Sequence, residues 1–294
     1  MEAIDNFKPD VIYSRYEIPT SFYMRLLKKY SSRVVVEINT NDLEEMKLLS
    51  RLSPLRYFPR RLCNALLRRQ IFSKCGCIIT HTYELARSNI YTKFNKHIVV
   101  APNSIQLNRH AVVKSDKIES KPYNLLFLGT ANQAWQGLDK VQKMAKLLGD
   151  NFCVHVGMGG IPPHVDGNIV YHGFLSPDKY KKIAAGCIAG IGTLALYRKN
   201  MQEVNAIKTR EYIAMGLPII IGHPDTVFIE NKPEWVCEIP NDDDSLNEGN
   251  LAVVVQFLNA MRTRVVSHEE SAQYVDSAIL EKKRIQNITN CLQK

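Results

Sequence analysis

Residues 197–221, with the sequence YRKNMQEVNAIKTREYIAMGLPIII, decide how the second half of this chain is expected to fold. Two acidic residues in this stretch, Glu203 and Glu211, are separated by seven residues. An apolar helical turn follows Glu211, and the Gly-Leu-Pro sequence at 216–218 is a typical helix stop, because glycine adopts left-handed backbone angles and proline does not continue a helix. The three isoleucines at 219–221 then predict a buried strand.

A helix that leads into a buried strand is typical of an α/β protein with a parallel sheet, and such sheets bind ligands at the carboxyl ends of their strands. An ionised carboxylate at this edge can accept hydrogen bonds from both hydroxyls of a ribose. The partial positive charge at a helix N-terminus also favours the charged form. For Glu203 and Glu211 alone, two solvated helix positions explain the spacing equally well. The helix stop and the apolar strand favour a ligand site.

The stretch resembles the donor-site segment of the retaining, nucleotide-sugar-dependent glycosyltransferases of family 4. The resemblance rests on the E-x7-E spacing, the run Lys208-Thr209-Arg210-Glu211-Tyr212 and the Ala-Met-Gly-Leu-Pro turn. It implies an α/β protein with two Rossmann-like domains that have parallel sheets, known as the GT-B fold. Members of this group begin with further strands and a glycine-rich loop, so the first domain is expected to be incomplete.

The activity that the resemblance implies is transfer of a hexose, with retention, from a UDP- or GDP-sugar to a glycan or lipid-linked acceptor in the synthesis of surface polysaccharide or glycolipid. No metal is expected in this fold class. The sequence agrees, since Cys75-Gly76-Cys77 has no second Cys or His pair at ligand spacing. The donor substrate is thus the only small molecule expected.

Composition places the chain among globular proteins. Its 294 residues suffice for two domains, and 45% of them are hydrophobic and 23% charged. No apolar run approaches the ~20 residues of a membrane span, and the first residues lack the pattern of a secretory signal. The seven cysteines are an odd number, and several stand in apolar runs, which favours reduced thiols and a cytoplasmic location.

Strand and helix patterns divide the chain into two predicted domains. The first covers 1–118 and is joined by the helix at 275–294, which is expected to pack back onto it; the second covers 119–274. The polar, lysine-rich residues 106–122 are predicted to form the linker between the two domains. A single terminal helix is predicted over 267–293.

A strand at 124–128 is followed by a glycine-containing loop and a helix at 138–148. This arrangement places backbone N–H groups of Gly129 and Thr130 where a diphosphate could bind. Many members of the family carry an arginine at the start of this loop and a lysine at its end. Thr130 and Gln136 occupy those positions here, so two cations that would neutralise the diphosphate are missing.

The resemblance implies catalytic roles for Glu203 and Lys208. Glu203 would face the hydroxyls of the sugar ring and the positive charge that forms at the anomeric carbon, while Glu211 would bind the ribose. Lys208, with Arg198 or Lys199, would stabilise the departing nucleoside diphosphate and supply the missing charge. If none of these cations reaches the diphosphate, the donor site is weakened or lost.

The remaining candidate residues lie in loops. The resemblance implies that the backbone of Gly173, Phe174 and Leu175 reads the edge of the nucleobase. It also places Asn39 and Asn103 on the acceptor side. Asn39 stands where many members of the family have a histidine, and this substitution leaves the acceptor-side chemistry open.

The segment 51–74 is strongly basic. No acidic residue occurs between positions 47 and 83, and arginines alternate with apolar residues in a pattern that fits a helix with a basic and an apolar face. Each basic residue near an anionic membrane contributes ~1 kcal/mol, so this segment predicts peripheral attachment to the inner face of the plasma membrane. The alternative is an ordinary amphipathic helix whose arginines are solvated.

Other functions stay open at this stage. The net charge of +9 permits a nucleic-acid partner, but no zinc-finger, RNA-recognition or helix-turn-helix signature is present, so none is expected. An inactive remnant or partner subunit that keeps the donor-binding domain would show the same motifs. A nucleotide-sugar epimerase shares this architecture. A dehydrogenase is disfavoured, because no G-x-G-x-x-G follows a strand with an acidic residue ~20 positions further on.

Overall fold

The computed structural model of the protein describes residues 1–16, 19–118 and 120–292. They form two compact units, one of Met1–Pro102 with Glu281–Lys294 and the other of Asn103–Leu280. Residue 119, where the second predicted domain begins, and residue 293 of the predicted terminal helix lie outside the described residues. The domain boundaries expected from the sequence, at 118/119 and 274/275, stay predictions.

The first unit is built around a four-stranded parallel sheet in the order β1-β2-β3-β4. Every residue of the second strand is buried, as expected for a parallel strand with helices on both faces. The elements, in chain order, are α1 (Glu2–Phe7), β1 (Ile12–Arg15), α2 (Ser21–Tyr30), β2 (Val34–Ile38), α3 (Asp42–Leu52), α4 (Pro54–Lys74), β3 (Cys77–Thr80), α5 (Tyr83–Arg87), α6 (Asn89–Thr92) and β4 (His97–Val100).

The second unit contains a seven-stranded sheet in the order β11-β10-β9-β5-β6-β8-β7, parallel except for the antiparallel pair β7 and β8. Its elements are β5 (Tyr123–Gly129), α7 (Leu138–Leu148), β6 (Phe152–Met158), β7 (His164–Asp166), β8 (Ile169–Tyr171), α8 (Pro177–Ala185), β9 (Cys187–Ile191), α9 (Ile207–Ala214), β10 (Ile219–Ile221), β11 (Val236–Glu238), α10 (Glu248–Ala260), α11 (His268–Val275) and α12 (Ser277–Leu292), whose residues from Glu281 onward belong to the first unit.

Side chains of β5 alternate between two apolar cores, one on each face of the second sheet. Leu125 and Phe127 pack with α7 and α10, whereas Leu126 packs with α8, α9 and α11. Because both faces are covered, the edges of the sheet at the strand ends are the places where polar groups can gather.

The helix stop predicted at 216–218 is confirmed. Helix α9 ends at Ala214, Gly216 has a φ of +87°, and β10 begins at Ile219. Residues 106–118 do not form an open linker, because the N–H groups of Val113 and Lys114 both donate to the carbonyl of Met215.

The prediction of a single terminal helix is wrong, because this part of the chain forms two helices, α11 and α12. Asp276 has extended backbone angles, and its carboxylate accepts a hydrogen bond of 3.1 Å from the N–H of Ala278. An aspartate that caps a new helix in this way competes with helix continuation.

Candidate functional site

The carboxyl ends of β5, β6, β9 and β10 lie at the same edge of the second sheet, because these strands are parallel. The loops that leave this edge contain most of the residues singled out in the sequence. Open α/β sheets bind ligands at such an edge.

Helix α9 begins at this edge without a side-chain cap. Ala206 precedes it and has no polar side chain, so the first N–H groups of the helix have no side-chain acceptor from this position. Ile207, the first residue of α9, is exposed. The helix end therefore carries a partial positive charge that an anion can approach.

Lys208 connects the start of α9 with the end of β5. Its ammonium donates to the carbonyl oxygen of Leu128 at 3.2 Å and lies 4.3 Å from the centre of the Phe127 ring. It forms no ion pair with any described residue. Burial without a counter-ion lowers the pKa of Lys208 to about 7.

The two glutamates of the E-x7-E spacing are held by different elements. Glu203 lies in the loop before α9 and is only 6% exposed, and its Oε1 accepts a hydrogen bond of 2.7 Å from the hydroxyl of Thr226. Glu211 is half-buried within α9, 3.4 Å from the hydroxyl of Tyr180. Burial raises the pKa of Glu211, against the lowering effect of that hydroxyl. The pair is therefore not two solvated helix positions.

The loop after β5 is closed by an amide. The Oε1 atom of Gln136 accepts from the N–H of Thr130 at 3.0 Å, and its Nε2 atom donates to Gln133 at 2.6 Å. A Cβ atom added to Gly129 would come within 2.3 Å of the side chain of Met158, so a side chain at this position would force repacking. A neutral amide thus stands where the family resemblance would place a lysine.

Arg198 contacts the start of α7, and Lys199 contacts the turn that precedes this helix. Arg198 makes two hydrogen bonds to the carboxylate of Asp139, at 2.7 and 2.6 Å, and these bonds raise the pKa of Arg198. The ammonium of Lys199 lies 4.5 Å from the centre of the Trp135 ring. The charge of Arg198 is therefore neutralised within the protein in this structure.

The residues 173–175 follow β8 and lie beside the end of β6. Gly173 has a φ of +70°, and its carbonyl accepts from the N–H of Met158 at 2.8 Å. Leu175 packs so closely on Gly157 that a Cβ added there would lie 2.6 Å from it. Phe174 is 79% exposed, which leaves one face of an aromatic ring open to a ligand.

A buried ion pair that the sequence did not reveal lies below this edge. The guanidinium of Arg210 and the carboxylate of Asp225 are fully buried and share hydrogen bonds of 3.0 and 2.6 Å. Asn205 donates to the same carboxylate at 2.8 Å and accepts from the N–H of Asn103 at 2.5 Å. Asn103, predicted on the acceptor side, is thus part of a network in the second unit. No spacing rule links an arginine in a helix to an aspartate beyond the next strand.

His223 follows β10 and is completely buried. Its Nδ1 atom lies 2.8 Å from the carbonyl oxygen of Pro224 and so carries the proton, while Nε2 has no hydrogen-bond partner among the described residues. Burial lowers the pKa of His223, so the ring presents an unused acceptor.

Asn39 lies in the first unit, directly after β2. With its amide oxygen facing Arg15, it accepts two hydrogen bonds of 2.7 Å from that guanidinium. Its nitrogen then lies 2.9 Å from Nε2 of His81 and 2.7 Å from Glu37. An imidazole is therefore present beside position 39, supplied by the residue that follows the neighbouring strand β3.

Glu37 is the centre of this polar cluster in the first unit. Its carboxylate contacts His81 at 3.1 Å, the hydroxyl of Tyr13, and Arg284 at 3.9 Å. Burial alone would raise the pKa of Glu37, but the bonds from His81 and Tyr13 lower it to about 2. The carboxylate is therefore ionised and well compensated.

Metal-binding clusters and membrane-spanning helices are both absent from the described part of the chain. No group of three or more His, Cys, Asp or Glu side chains is arranged there to hold a metal ion. None of the helices in residues 1–16, 19–118 and 120–292 combines the length and apolar character needed to cross a membrane.

No protein-family model and no curated protein matches this sequence. Solved structures do match. Sucrose-phosphate synthase from Thermosynechococcus elongatus superposes with a TM-score of 0.66 at 10% identity, over 98% of this chain and 75% of that one. An alpha-glucosyltransferase in complex with UDP-glucose and DNA containing an abasic site gives 0.61 at 13% identity, over 95% and 80%. TarM gives 0.59 at 12% identity, over 100% and 57%.

These matches show the fold. The chain has the α/β architecture of the GT-B glycosyltransferases, with two sheets that are parallel apart from one edge strand, of which the first is smaller. The fold class predicted from the sequence is confirmed.

Proposed function

We propose that this protein is a retaining glycosyltransferase that moves a hexose from a UDP- or GDP-sugar to a glycan or lipid-linked acceptor. One observation carries the proposal. The edge of the second sheet combines a helix N-terminus without a side-chain cap, a partly buried ammonium that forms no ion pair with a described residue, and two glutamates, of which one is buried and one half-buried. A nucleoside diphosphate sugar has the complementary groups: an anionic diphosphate between two hydroxyl-rich rings.

The diphosphate binds at the start of α9. Its negative charge is stabilised by the N–H groups of the first turn of α9 and by Lys208, which lies within reach of the same loop. Because Lys208 lacks a counter-ion, an incoming diphosphate raises its pKa and keeps it protonated. This charge stabilises the leaving group as the glycosidic bond breaks.

The two glutamates bind the two rings of the donor. Ionised Glu211 accepts hydrogen bonds from the ribose hydroxyls, and Glu203, fixed by Thr226, faces the sugar ring. The carboxylate of Glu203 also stabilises the positive charge that develops at the anomeric carbon. Catalysis in this scheme is mostly positioning and electrostatics, which can supply a large share of a rate enhancement.

The remaining candidate residues are assigned the roles that the family resemblance implies. The backbone at Gly173, Phe174 and Leu175 contacts the base, with the exposed Phe174 ring beside it. Gly129 and Thr130 line the diphosphate. Asn39 belongs to the acceptor side, where Arg15 and His81 accompany it. The acceptor belongs to surface polysaccharide or glycolipid synthesis at the inner face of the plasma membrane.

A thermal-shift screen of UDP-, GDP- and ADP-sugars tests the donor assignment. A ligand that binds only the folded protein raises the melting temperature by mass action. At a ligand concentration of a hundred times its Kd, the free energy of unfolding increases by about 2.7 kcal/mol. We expect a UDP- or GDP-sugar to shift the transition, and the same sugar to be transferred or slowly hydrolysed. If no nucleotide sugar shifts the transition, the proposal is wrong.

A second candidate is an inactive remnant or partner subunit that binds the donor without transferring it. Two contacts favour this alternative. The neutral amide of Gln136 closes the loop where the family resemblance would place a lysine, and Arg198 is already paired with Asp139. Neither residue offers an uncompensated positive charge to a reacting diphosphate. A shift in melting temperature without any transfer or hydrolysis would support it. Product analysis of a labelled UDP-sugar separates both candidates from an epimerase.

A further inference from the structure

Helix α4 is anchored in the first unit by one face. Asn64, Arg68, Ile71 and Phe72 are buried on that face. Arg68 binds the carboxylate of Asp42 through Nε at 2.9 Å and Nη2 at 3.2 Å. This arginine therefore has a structural role, and the contacts that anchor the helix do not use its opposite face.

The opposite face carries a row of large apolar side chains in solvent. Leu55, Phe58, Leu62 and Leu66 are between 52% and 97% exposed. Their spacing of three and four residues places them on one line along the helix. We call this row the α4 stripe. Folded proteins in solution rarely expose contiguous apolar surface unless it is used for binding.

Exposed arginines flank the stripe. They are Arg51 at the end of α3 and Arg56, Arg60, Arg61 and Arg69 in α4. None of the five forms an ion pair with a described residue, and no acidic residue occurs in the sequence from 47 to 83. The surface therefore combines a row of apolar side chains with uncompensated positive charge.

This combination selects among three possible partners. Nucleic acid would use the arginines but leaves four large apolar side chains in water. A second copy of the chain would cover the stripe but would bring arginine against arginine. A bilayer with anionic headgroups satisfies both features, since the apolar side chains enter the acyl boundary while the guanidinium groups meet phosphate.

We propose that the α4 stripe and its flanking arginines form a docking surface for an anionic lipid bilayer, with α4 parallel to the membrane plane. The surface uses no residue assigned to the donor or to the transfer reaction. Docking and sugar transfer can therefore fail independently in experiment.

Vesicle co-sedimentation tests the proposal. The full chain is mixed with phosphatidylcholine vesicles that contain phosphatidylglycerol, and with vesicles of phosphatidylcholine alone. We expect binding to the anionic vesicles only, reduced by added salt. The triple variant Arg56→Gln/Arg60→Gln/Arg61→Gln removes three charges of ~1 kcal/mol each, which lowers the partition coefficient about a hundredfold.

A matched control removes the same charge elsewhere. Lys143, Lys146 and Lys179 are exposed in α7 and α8, and the triple Lys→Gln variant at these positions should bind anionic vesicles within a few-fold of the original protein. The variant Leu55→Ser/Leu62→Ser keeps every charge and should weaken binding about tenfold or more, because it removes apolar contact.

The substituted side chains are exposed, so unchanged melting temperatures will show that the variants are folded. Equal binding of the arginine variant and the lysine control to anionic vesicles would overturn the proposal. Binding would then depend on the net charge of the protein and not on the position of the charges. The proposal would also be overturned if a DNA duplex displaced the protein from vesicles and bound the Leu55→Ser/Leu62→Ser variant as tightly as the original protein. A dimer in sedimentation velocity that this leucine variant dissolves would assign the stripe to a second copy instead.

Discussion

The carboxyl-terminal edges of the two parallel sheets have the same geometry but different electrostatics. In the first unit, Glu37 is surrounded by His81, Tyr13 and Arg284, and its pKa is lowered to about 2. In the second unit, the ammonium of Lys208 contacts a backbone carbonyl and an aromatic ring and forms no ion pair with a described residue. Its pKa is lowered to about 7, because burial removes water without adding a counter-ion. One edge compensates its charge internally, and the other does not.

The difference indicates where a charged ligand belongs. An uncompensated buried charge destabilises the folded protein, and such costs are commonly found at binding sites, where a ligand offsets them. The first edge gains nothing electrostatically from an anion. The second edge, with Lys208 and the start of α9, does gain from an anion.

The largest expected change in stability concerns the buried ion pair of Arg210 and Asp225 in the second unit. Arg210→Ala leaves the Asp225 carboxylate buried without its partner, which should lower the free energy of unfolding by about 3–5 kcal/mol. Urea denaturation at pH 7 measures it. Arg198→Ala is the control, because Asp139 is 58% exposed and an exposed pair contributes only about 0.2–1 kcal/mol. Similar losses for both variants would contradict the assignment.

The next effect has the opposite sign. Lys208→Met removes a partly buried ammonium and should stabilise the protein by about 2–4 kcal/mol at pH 7 and below, while weakening nucleotide binding. Between pH 7 and the ordinary lysine pKa, the unfolded chain binds more protons than the folded one, so the stability of the original protein rises with pH. The gain should therefore shrink toward pH 10. A gain that is absent, or constant with pH, would show that Lys208 is well compensated.

A smaller effect is expected at the first edge. Glu37→Gln removes charged hydrogen bonds and should cost about 1.5–3 kcal/mol at neutral pH. Because the folded pKa of Glu37 is depressed, its contribution is present above the ordinary carboxyl pKa and is lost as the pH falls toward 2. Denaturation curves of both proteins should converge in acid. A pH-independent difference would point to packing rather than charge.

Much of the fold could be predicted because its signals are local. The helix stop at Gly216, the three isoleucines of β10 and the bounds of α7 follow from short-range chemistry, and the structure confirms them. The break at Asp276 was missed, since a mid-helix aspartate and a capping aspartate look alike in sequence.

The candidate site was less accessible, because its contacts join distant residues. Sequence alone could not separate Arg68, which binds Asp42, from the exposed arginines of the same helix. It could not show that Arg198 is already paired with Asp139. The imidazole of His81 beside Asn39 depends on the register of β2 and β3, which no local pattern specifies.

Calorimetric titration of UDP and of GDP tests whether Glu211 binds the ribose of a nucleotide. The three proteins compared are the original chain, Glu211→Ala, and Glu269→Ala, which removes an exposed carboxylate in α11 as a control. We expect one nucleotide to bind the original protein and Glu269→Ala with equal affinity. Binding to Glu211→Ala should be about tenfold weaker or more, since a charged hydrogen bond contributes about 1.5–3 kcal/mol. Equal affinity for Glu211→Ala, or no binding of either nucleotide, would contradict it.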